Sequence, residues 1–419
     1  MQLQLKTILN YVEKHKSFVY KESWLEFKRR VPRIVARIAP RGNGRPVCSG
    51  CDKVCPGYDK LPEREFQYVP LWGIAVFLVY ALRRVNCPTC GVKVERIPWA
   101  EGKSRLTNSY KWFLADWAKR LSWQETARVF HTSWETVFRA VRTAVRWGLK
   151  QRSLQGIKAI GVDEVQYRRG HKYLTLVYQV DGTAKRLLYI AQDRKKASLR
   201  GFFKILTKEQ KASIQFVCSD MWRAYLTVLK KELKHAVHVL DRFHIMKKMN
   251  EALDKVRAAE VKQLKADGYE PVLKHARWSV LKRKENLTEK QAVKLKEILK
   301  YNLKTTRSLL MKVDFQRFWE YRSIGCARRF LKEWCTRALR SRIEPMKKVA
   351  RMLRKHEELI LNWFEAAGTI SAGAVEGLNN KLKVVTRKAY GFRTFNAAEI
   401  ALYHTLGNLP EPKRTHRFS

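Results

Sequence analysis

Acidic residues are scarce in this chain: 38 Asp and Glu stand against 86 Lys and Arg, so the formal net charge is +48 over 419 residues. A compact protein with that excess repels itself, which argues against a partnerless solute and for a polyanionic ligand. Nucleic acid leads, because each phosphate neutralised releases counterions. Long hydrophobic runs are also missing. The longest, LWGIAVFLVYAL at 71–82, is followed by Arg83 and Arg84. It is too short for a bilayer crossing, which takes about 20 apolar residues, and reads as a buried strand or helix. The opening MQLQLKTILN lacks a charged leader ahead of an apolar core, so no secretory signal is expected. Cysteine is sparse as well: eight in a chain of this length, two pairs of them spaced CxxC, indicate metal binding in a reducing compartment rather than a disulfide scaffold. A cytoplasmic protein with no membrane partner is expected.

Four zones follow one another. Residues 1–46 are mixed and end in the turn-rich APRGNGRP; 47–100 hold the clustered cysteines; 101–150 carry Trp112, Phe113, Leu114, Trp117 and Leu121 near helical spacing. From Gly156 the character changes. IKAIGVDEV, KYLTLVYQVD and KRLLYIAQD are short runs rich in β-branched and aromatic residues, parted by turn-prone RRGH and GT. Then come helix-like SLRGFFKILTKEQ, strand-like IQFVCSD, helix-like WRAYLTVLKKEL, strand-like HAVHVLD and a long helical run from Arg242. This order predicts an α/β domain on a mixed sheet, with a first part at 156–250, a charged helical segment poor in Gly and Pro at 251–365, and a C-terminal part at 366–410.

Two aspartates occupy similar settings. Asp163 lies in IGVDEV, within or at the end of the first strand, and Asp220 closes IQFVCSD, the fourth. Apolar residues lead into each, so both carboxylates leave the core at one sheet edge, where neighbouring strands lie about 5 Å apart. Such a pair suits two divalent ions, Mg²⁺ or Mn²⁺, and phosphoryl transfer needs little else from a protein. A single strand-end aspartate is ordinarily structural; two in this order, in a chain this basic, shift the balance. The third acid is in SAGAVEGLNNKLKVVTRKAYGFRTF, where Glu376, Asn379, Lys383 and Arg387 recur at three- and four-residue steps and share a helix face. A carboxylate above an amide and two cations can ligate metal and grip the adjoining DNA backbone.

IGVDEVQYRRGHKYLTLVYQVDG, CSDMWRAY, HVLDRFHI and EGLNNKLKVVTRKAYGFR, in this order and spacing, resemble the ISL-three family of insertion-sequence transposases. The resemblance runs from about Cys48 to Phe395. It implies an RNase H-like catalytic domain interrupted by a helical insertion, preceded by a zinc ribbon and a helix-turn-helix. Carried over by position, Asp163 and Asp220 match the catalytic aspartates and Glu376 the catalytic glutamate. Glu164 matches an acid that accompanies the first, and Asp241 to His244 match a DRFH motif. Ala372 stands where the family usually has Asn.

Cys48 with Cys51, and Cys87 with Cys90, form two knuckles suited to one structural Zn²⁺, with Cys55 as a competitor for one position. Cys218, Cys326 and Cys335 are isolated and expected to be buried. In LSWQETARVFHTSWETVFRAVR (121–142), residues 123–130 predict a first helix, HTS a tight turn and Trp134 onward a recognition helix. Ser133 would cap it, leaving Thr136 and Arg139 for a major groove.

The resemblance implies a DDE transposase that recognises terminal inverted repeats in double-stranded DNA, cuts them, and joins the end to target DNA as a homo-oligomer near the bacterial nucleoid. No small-molecule substrate is expected. A DNA-binding regulator that had lost transposition would tolerate loss of the acids, and all three are present. A structure-specific nuclease of the same fold would cut branched DNA without joining. A basic RNA-binding protein would not need the ordered acids.

Overall fold

The computed structural model describes residues 4–168, 170–182, 185–269, 272–366 and 372–413, apart from the side chains of 372–374 and 376. The chain forms two compact units, Met1–Arg152 with Glu399–Thr405 and Leu409–Ser419, and Ser153–Ala398 with Leu406–Asn408. Among the described residues no helix is long and apolar enough to cross a membrane.

In the first unit, helix α1 (Leu5–Val12) precedes strands β1 (Phe18–Lys28), β2 (Val31–Pro40), β3 (Gly57–Leu71), β4 (Ile74–Cys87) and β5 (Gly91–Val94). The sheet runs β1-β2-β4-β3, with β5 also on β4. The β1–β2 and β3–β4 hairpins each close on two residues of positive φ, Arg29 (50°) with Arg30 (65°) and Trp72 (51°) with Gly73 (80°). That geometry follows the right-handed strand twist, although only one of the four residues is glycine. The apolar run at 71–82 is therefore a turn plus a strand. Residues 1–46, cysteine-poor and read separately from the sequence, add β1 and β2 to the sheet that carries the cysteines. Trp99, fully buried, packs edge-on against Phe18, Phe66 and Tyr80 at centroid distances of 4.9, 6.1 and 5.4 Å.

Three helices follow: α2 (Asn108–Arg120), α3 (Trp123–Val129) and α4 (Trp134–Gln151). Each begins at a hydroxyl cap, Thr107, Ser122 and Ser133, whose oxygen accepts a first-turn N–H otherwise left without a partner. Ser122 and Glu125 form a reciprocal capping box. His131, at φ 48°, makes the tight turn between α3 and α4.

The second unit is built on β6 (Ala159–Arg168), β7 (Lys172–Gln179), β8 (Arg186–Gln192), β9 (Phe216–Ser219) and β10 (Val237–Leu240). Their order is β10-β9-β6-β7-β8. The ladders β6–β7 and β7–β8 are antiparallel, whereas β9 runs parallel to β6 and β10 parallel to β9. Crossover helices join the parallel strands: α5 (Lys196–Lys204) and α6 (Lys208–Ala212) before β9, and α7 (Arg223–Glu232) before β10. The sequence run 198–210 divides because Thr207 caps a new helix. Phe202, Phe203, Tyr225 and Val228 seal one sheet face against Ile160, Val162, Val177 and Val217.

After β10 the described residues form helices: α8 (Arg242–Ala266), α9 (Arg277–Leu281), α10 (Glu289–Leu299), α11 (Lys304–Gln316), α12 (Ile324–Arg340), α13 (Glu344–Lys355) and α14 (Glu357–Glu365). Ile245, Met249 and Val256 of α8 share a core with Phe315, Phe318, Trp334, Met346 and Leu353. The chain then enters α15 (Ala372–Lys388) and α16 (Phe395–Leu406).

Candidate active site and metal centre

Strand register brings the acids together. Val162 lies opposite Ser219, and Ser219 opposite Leu240, on three parallel strands. The next residue of each is Asp163, Asp220 and Asp241. Strands about 4.8 Å apart thus carry three carboxylates in one row. Asp163 sits mid-strand with respect to β7, whose pairing continues to Arg168, but just past the last pairing with β9.

Asp163 is 4% exposed and tightly held. Its Oδ1 accepts the Glu164 N–H at 2.7 Å, and its Oδ2 accepts the side-chain amide of Asn379. Tyr178 donates its hydroxyl to Asn379 Oδ1 at 3.1 Å, which orients that amide. His244 Nε2 lies 3.5 Å from Asp163 Oδ1 and 3.8 Å from Asp241 Oδ2. Burial opposes a charge on His244, but Asp163, Asp241 and Asp220 outweigh it and raise its pKa. Asp241 also caps α8, accepting the Phe243 N–H at 2.8 Å.

Asp220 Oδ1 accepts the Trp222 N–H at 3.0 Å. Burial pushes its pKa up to about 6; the Trp222 N–H and His244 pull it back, while Glu164 and Asp163 add to the rise. Glu164 leaves the opposite face of β6 and pairs with Arg194 at 2.9 Å, yet its buried Oε2 has no hydrogen-bond partner. Crowded oxygen donors and one carboxyl driven toward protonation are what a hard divalent cation would balance.

Helix α15 approaches β6 at two points. A Cβ on Gly161 would come within 2.6 Å of Val375 Cγ2, and Asn379, one turn later, reaches Asp163. Glu376 lies on α15 between these two points; its side chain is outside the described residues. Lys383 and Arg387 are exposed further along the helix, Lys383 Nζ 3.4 Å from Asn380 Oδ1.

In the first unit the ligand atoms of Cys48, Cys51, Cys87 and Cys90 all lie within 4.8 Å of one another, a set that could hold zinc. Backbone N–H groups of Gly50 and Cys90 point at the sulfurs of Cys48 and Cys87, each at 3.4 Å. The Cys90 N–H is the main reason the Cys87 thiol is drawn down to about 6, toward the thiolate that a metal requires. Cys55 is buried beside the four but turns its thiol to the Lys53 carbonyl at 3.5 Å. Cys218 and Cys335 are buried as expected; Cys326 is exposed, near the start of α12.

Ser133 Oγ accepts the Thr136 N–H at 3.2 Å and lies 2.9 Å from Thr136 Oγ1. Arg139 is exposed and paired with Glu135 at 2.6 Å, one turn back on α4.

Sequence reasoning missed the cluster of Glu164, Arg194, Tyr173 and Trp222 beside the acids. Its one local signal was Trp222, an aromatic two residues after Asp220. The alignment of Asp241 with Asp163 and Asp220 needed the strand register.

Among known proteins, the family model for a transposase of the DDE type, ISL3 group, matches residues 160–402. The transposase for insertion sequence element IS1001 of Bordetella parapertussis is 28% identical over 350 residues, covering 83% of this chain and 85% of its own. The transposase for insertion sequence element IS1557 of Mycobacterium tuberculosis (strain CDC 1551 / Oshkosh) is 28% identical over 405 residues, covering 90% of each.

Proposed function

Because the chain belongs to the ISL-three family of transposases, we propose that it binds the terminal inverted repeats of an insertion sequence and catalyses DNA cleavage and strand transfer with Asp163, Asp220 and Glu376. The observation that carries this reading is the seating of α15 on β6, with Val375 against Gly161 and Asn379 on Asp163, on either side of Glu376. The sheet, three antiparallel strands followed by two parallel ones in the order β10-β9-β6-β7-β8, supports an RNase H-like catalytic domain with α8–α14 as its helical insertion.

Asp163, Asp220 and Glu376 would hold two Mg²⁺ or Mn²⁺ ions, which when bound activate the attacking oxygen and stabilise the leaving one. The protein's own part is positional. Asn379 and His244 hold Asp163 in one orientation, and the Trp222 N–H does the same for Asp220. Water attacks the phosphodiester at the element's end and releases a 3′-hydroxyl; that hydroxyl then displaces a 3′-oxygen in target DNA. Each step exchanges one P–O bond for another, so no Ser or Tyr nucleophile is required. Lys383 and Arg387 steady the DNA backbone. The four-cysteine cluster holds a structural zinc, and α3 and α4 act as a helix-turn-helix with Ser133, Thr136 and Arg139 at the groove. Pairing two ends calls for a homo-oligomer on DNA.

The test is cleavage and joining of DNA carrying the element's ends in Mg²⁺ and Mn²⁺. Asp163→Asn, Asp220→Asn and Glu376→Gln should each abolish cutting while end binding survives. Cutting that persists in all three would remove these residues from the active site; wild-type protein that binds the ends and never cuts them would favour a regulator.

A further inference from the structure

An arginine sits over two aromatic rings near the carboxylate row. The Arg194 guanidinium carbon is 4.2 Å from the Tyr173 ring centroid and 4.5 Å from that of Trp222. Three further contacts lock the arrangement. Glu164 pairs with Arg194 at 2.9 Å, the Trp222 indole donates to the Arg194 carbonyl at 3.0 Å, and the Trp222 N–H donates to Asp220 at 3.0 Å. The stack is thus tied to Glu164, the residue after Asp163, and to Asp220 itself.

This is not ordinary core packing. Trp222 is 38% exposed and the Arg194 side chain 35%, whereas the aromatics that seal the sheet, Phe202 and Tyr225, are fully buried. The Trp222 ring is held at the surface beside Asp220 rather than folded into the core. The surroundings identify the occupant: Lys195, Lys196 and Arg223 are all exposed nearby in the chain, so the patch combines an aromatic surface with cations. Cations that follow a phosphate backbone beside a ring that stacks on bases are the features of a site for unpaired nucleotides. An apolar peptide would not call for the cations, and paired bases keep their faces inside the duplex.

We infer that Trp222, braced by Arg194 and Tyr173, is a stacking platform for one unpaired base next to the scissile phosphate, so that cleavage is coupled to local opening of the DNA end. The inference rests on the transposase reading and adds a step to it. Opening a pair beside the cut costs stacking and pairing energy, and the platform returns part of it by stacking the freed base.

The experiment uses full-length protein and duplexes carrying the element's own end, fully paired or with a single mismatched pair moved stepwise across the cleavage point. Trp222→Ala should slow cutting of the paired end roughly ten- to a hundred-fold. One mismatch position should recover most of that loss, while Trp222→Phe, which keeps a ring but loses the indole donor, should stay within about fivefold of wild type on paired DNA. Equal slowing of paired and mismatched ends by Trp222→Ala would overturn the inference, assigning Trp222 to support of Asp220 alone. Loss in Trp222→Phe as deep as in Trp222→Ala would also overturn it, because the indole hydrogen bond would then be what matters. Wild-type protein that cuts neither substrate would overturn the transposase reading itself, a result distinct from the other two.

Discussion

Gly161 and Val375 compete for one space: a Cβ on the glycine would come within 2.6 Å of the valine Cγ2 and 3.1 Å of Val180 Cγ1. Gly161 precedes Asp163 by two residues on β6, and Val375 precedes Glu376 by one on α15. The missing side chain therefore sets how closely the helix of one acid approaches the strand of another.

Gly161→Ala should push α15 outward, costing about 1–3 kcal/mol of stability through overpacking and lowering cleavage by at least tenfold. Adding Val375→Ala should return part of the activity, a coupling that a double-mutant cycle measures. If Gly161→Ala cuts at the wild-type rate, this contact does not position the acids.

Asn379 donates to Asp163 while accepting from Tyr178, so the three act as one chain. Asn379→Ala should lower the single-turnover cleavage rate roughly 10- to 100-fold, the order expected for a hydrogen bond to a charged group of about 1.5–3 kcal/mol. Tyr178→Phe, which only loosens the amide, should cost less. End affinity measured by fluorescence anisotropy should be unchanged in both; a drop in affinity with an unaltered rate would instead place Asn379 on the DNA.

The thiols divide four and one. Purified protein should contain one zinc per chain, lost on replacing Cys48, Cys51, Cys87 or Cys90 by Ser and retained in Cys55→Ser. Chelation should lower the melting temperature of the first unit, because a structural metal supplies folding energy. Loss of zinc in Cys55→Ser would show that the fifth thiol takes part.

His15 packs against Trp99 at 5.3 Å between ring centroids and is 8% exposed. Burial lowers its pKa from 6.5 to about 4. The unfolded chain therefore binds the proton more readily, and the stability His15 contributes is complete above its unfolded value and lost as pH falls toward the folded one. The loss between pH 6.5 and 4 is on the order of 3 kcal/mol. Thermal melts of wild type and His15→Gln should diverge in slope over this window, since acid release of zinc affects both alike. Parallel slopes would show that His15 is not what titrates.

Much of the architecture was legible because its causes are local. The runs that became β6, β7, β8, β9 and β10 are short, apolar and bounded by turn residues. Ser133 before Trp134 announced a helix start that its capping hydrogen bond bears out, whereas the capping box of Ser122 and Glu125 was read only from the structure. The two CxxC pairs were visible as pairs, and their convergence within 4.8 Å follows from the return of β4 and its tight turn to the first knuckle. Arg29–Arg30 gave no turn signal of the Asn-Gly kind, so the first hairpin was not evident.

By itself, then, the sequence determined the strands β6 to β10 and the helices around them, where the chain is basic, and which acids follow apolar runs, since these depend on neighbours along the chain. Only the tertiary structure decided that Asp241 falls into line with Asp163 and Asp220, that Gly161 receives Val375, and that Arg194 sits over Tyr173 and Trp222. Register between strands, and the approach of a helix arriving from far along the chain, are set by the packing of whole faces against one another. No short window of residues contains that information.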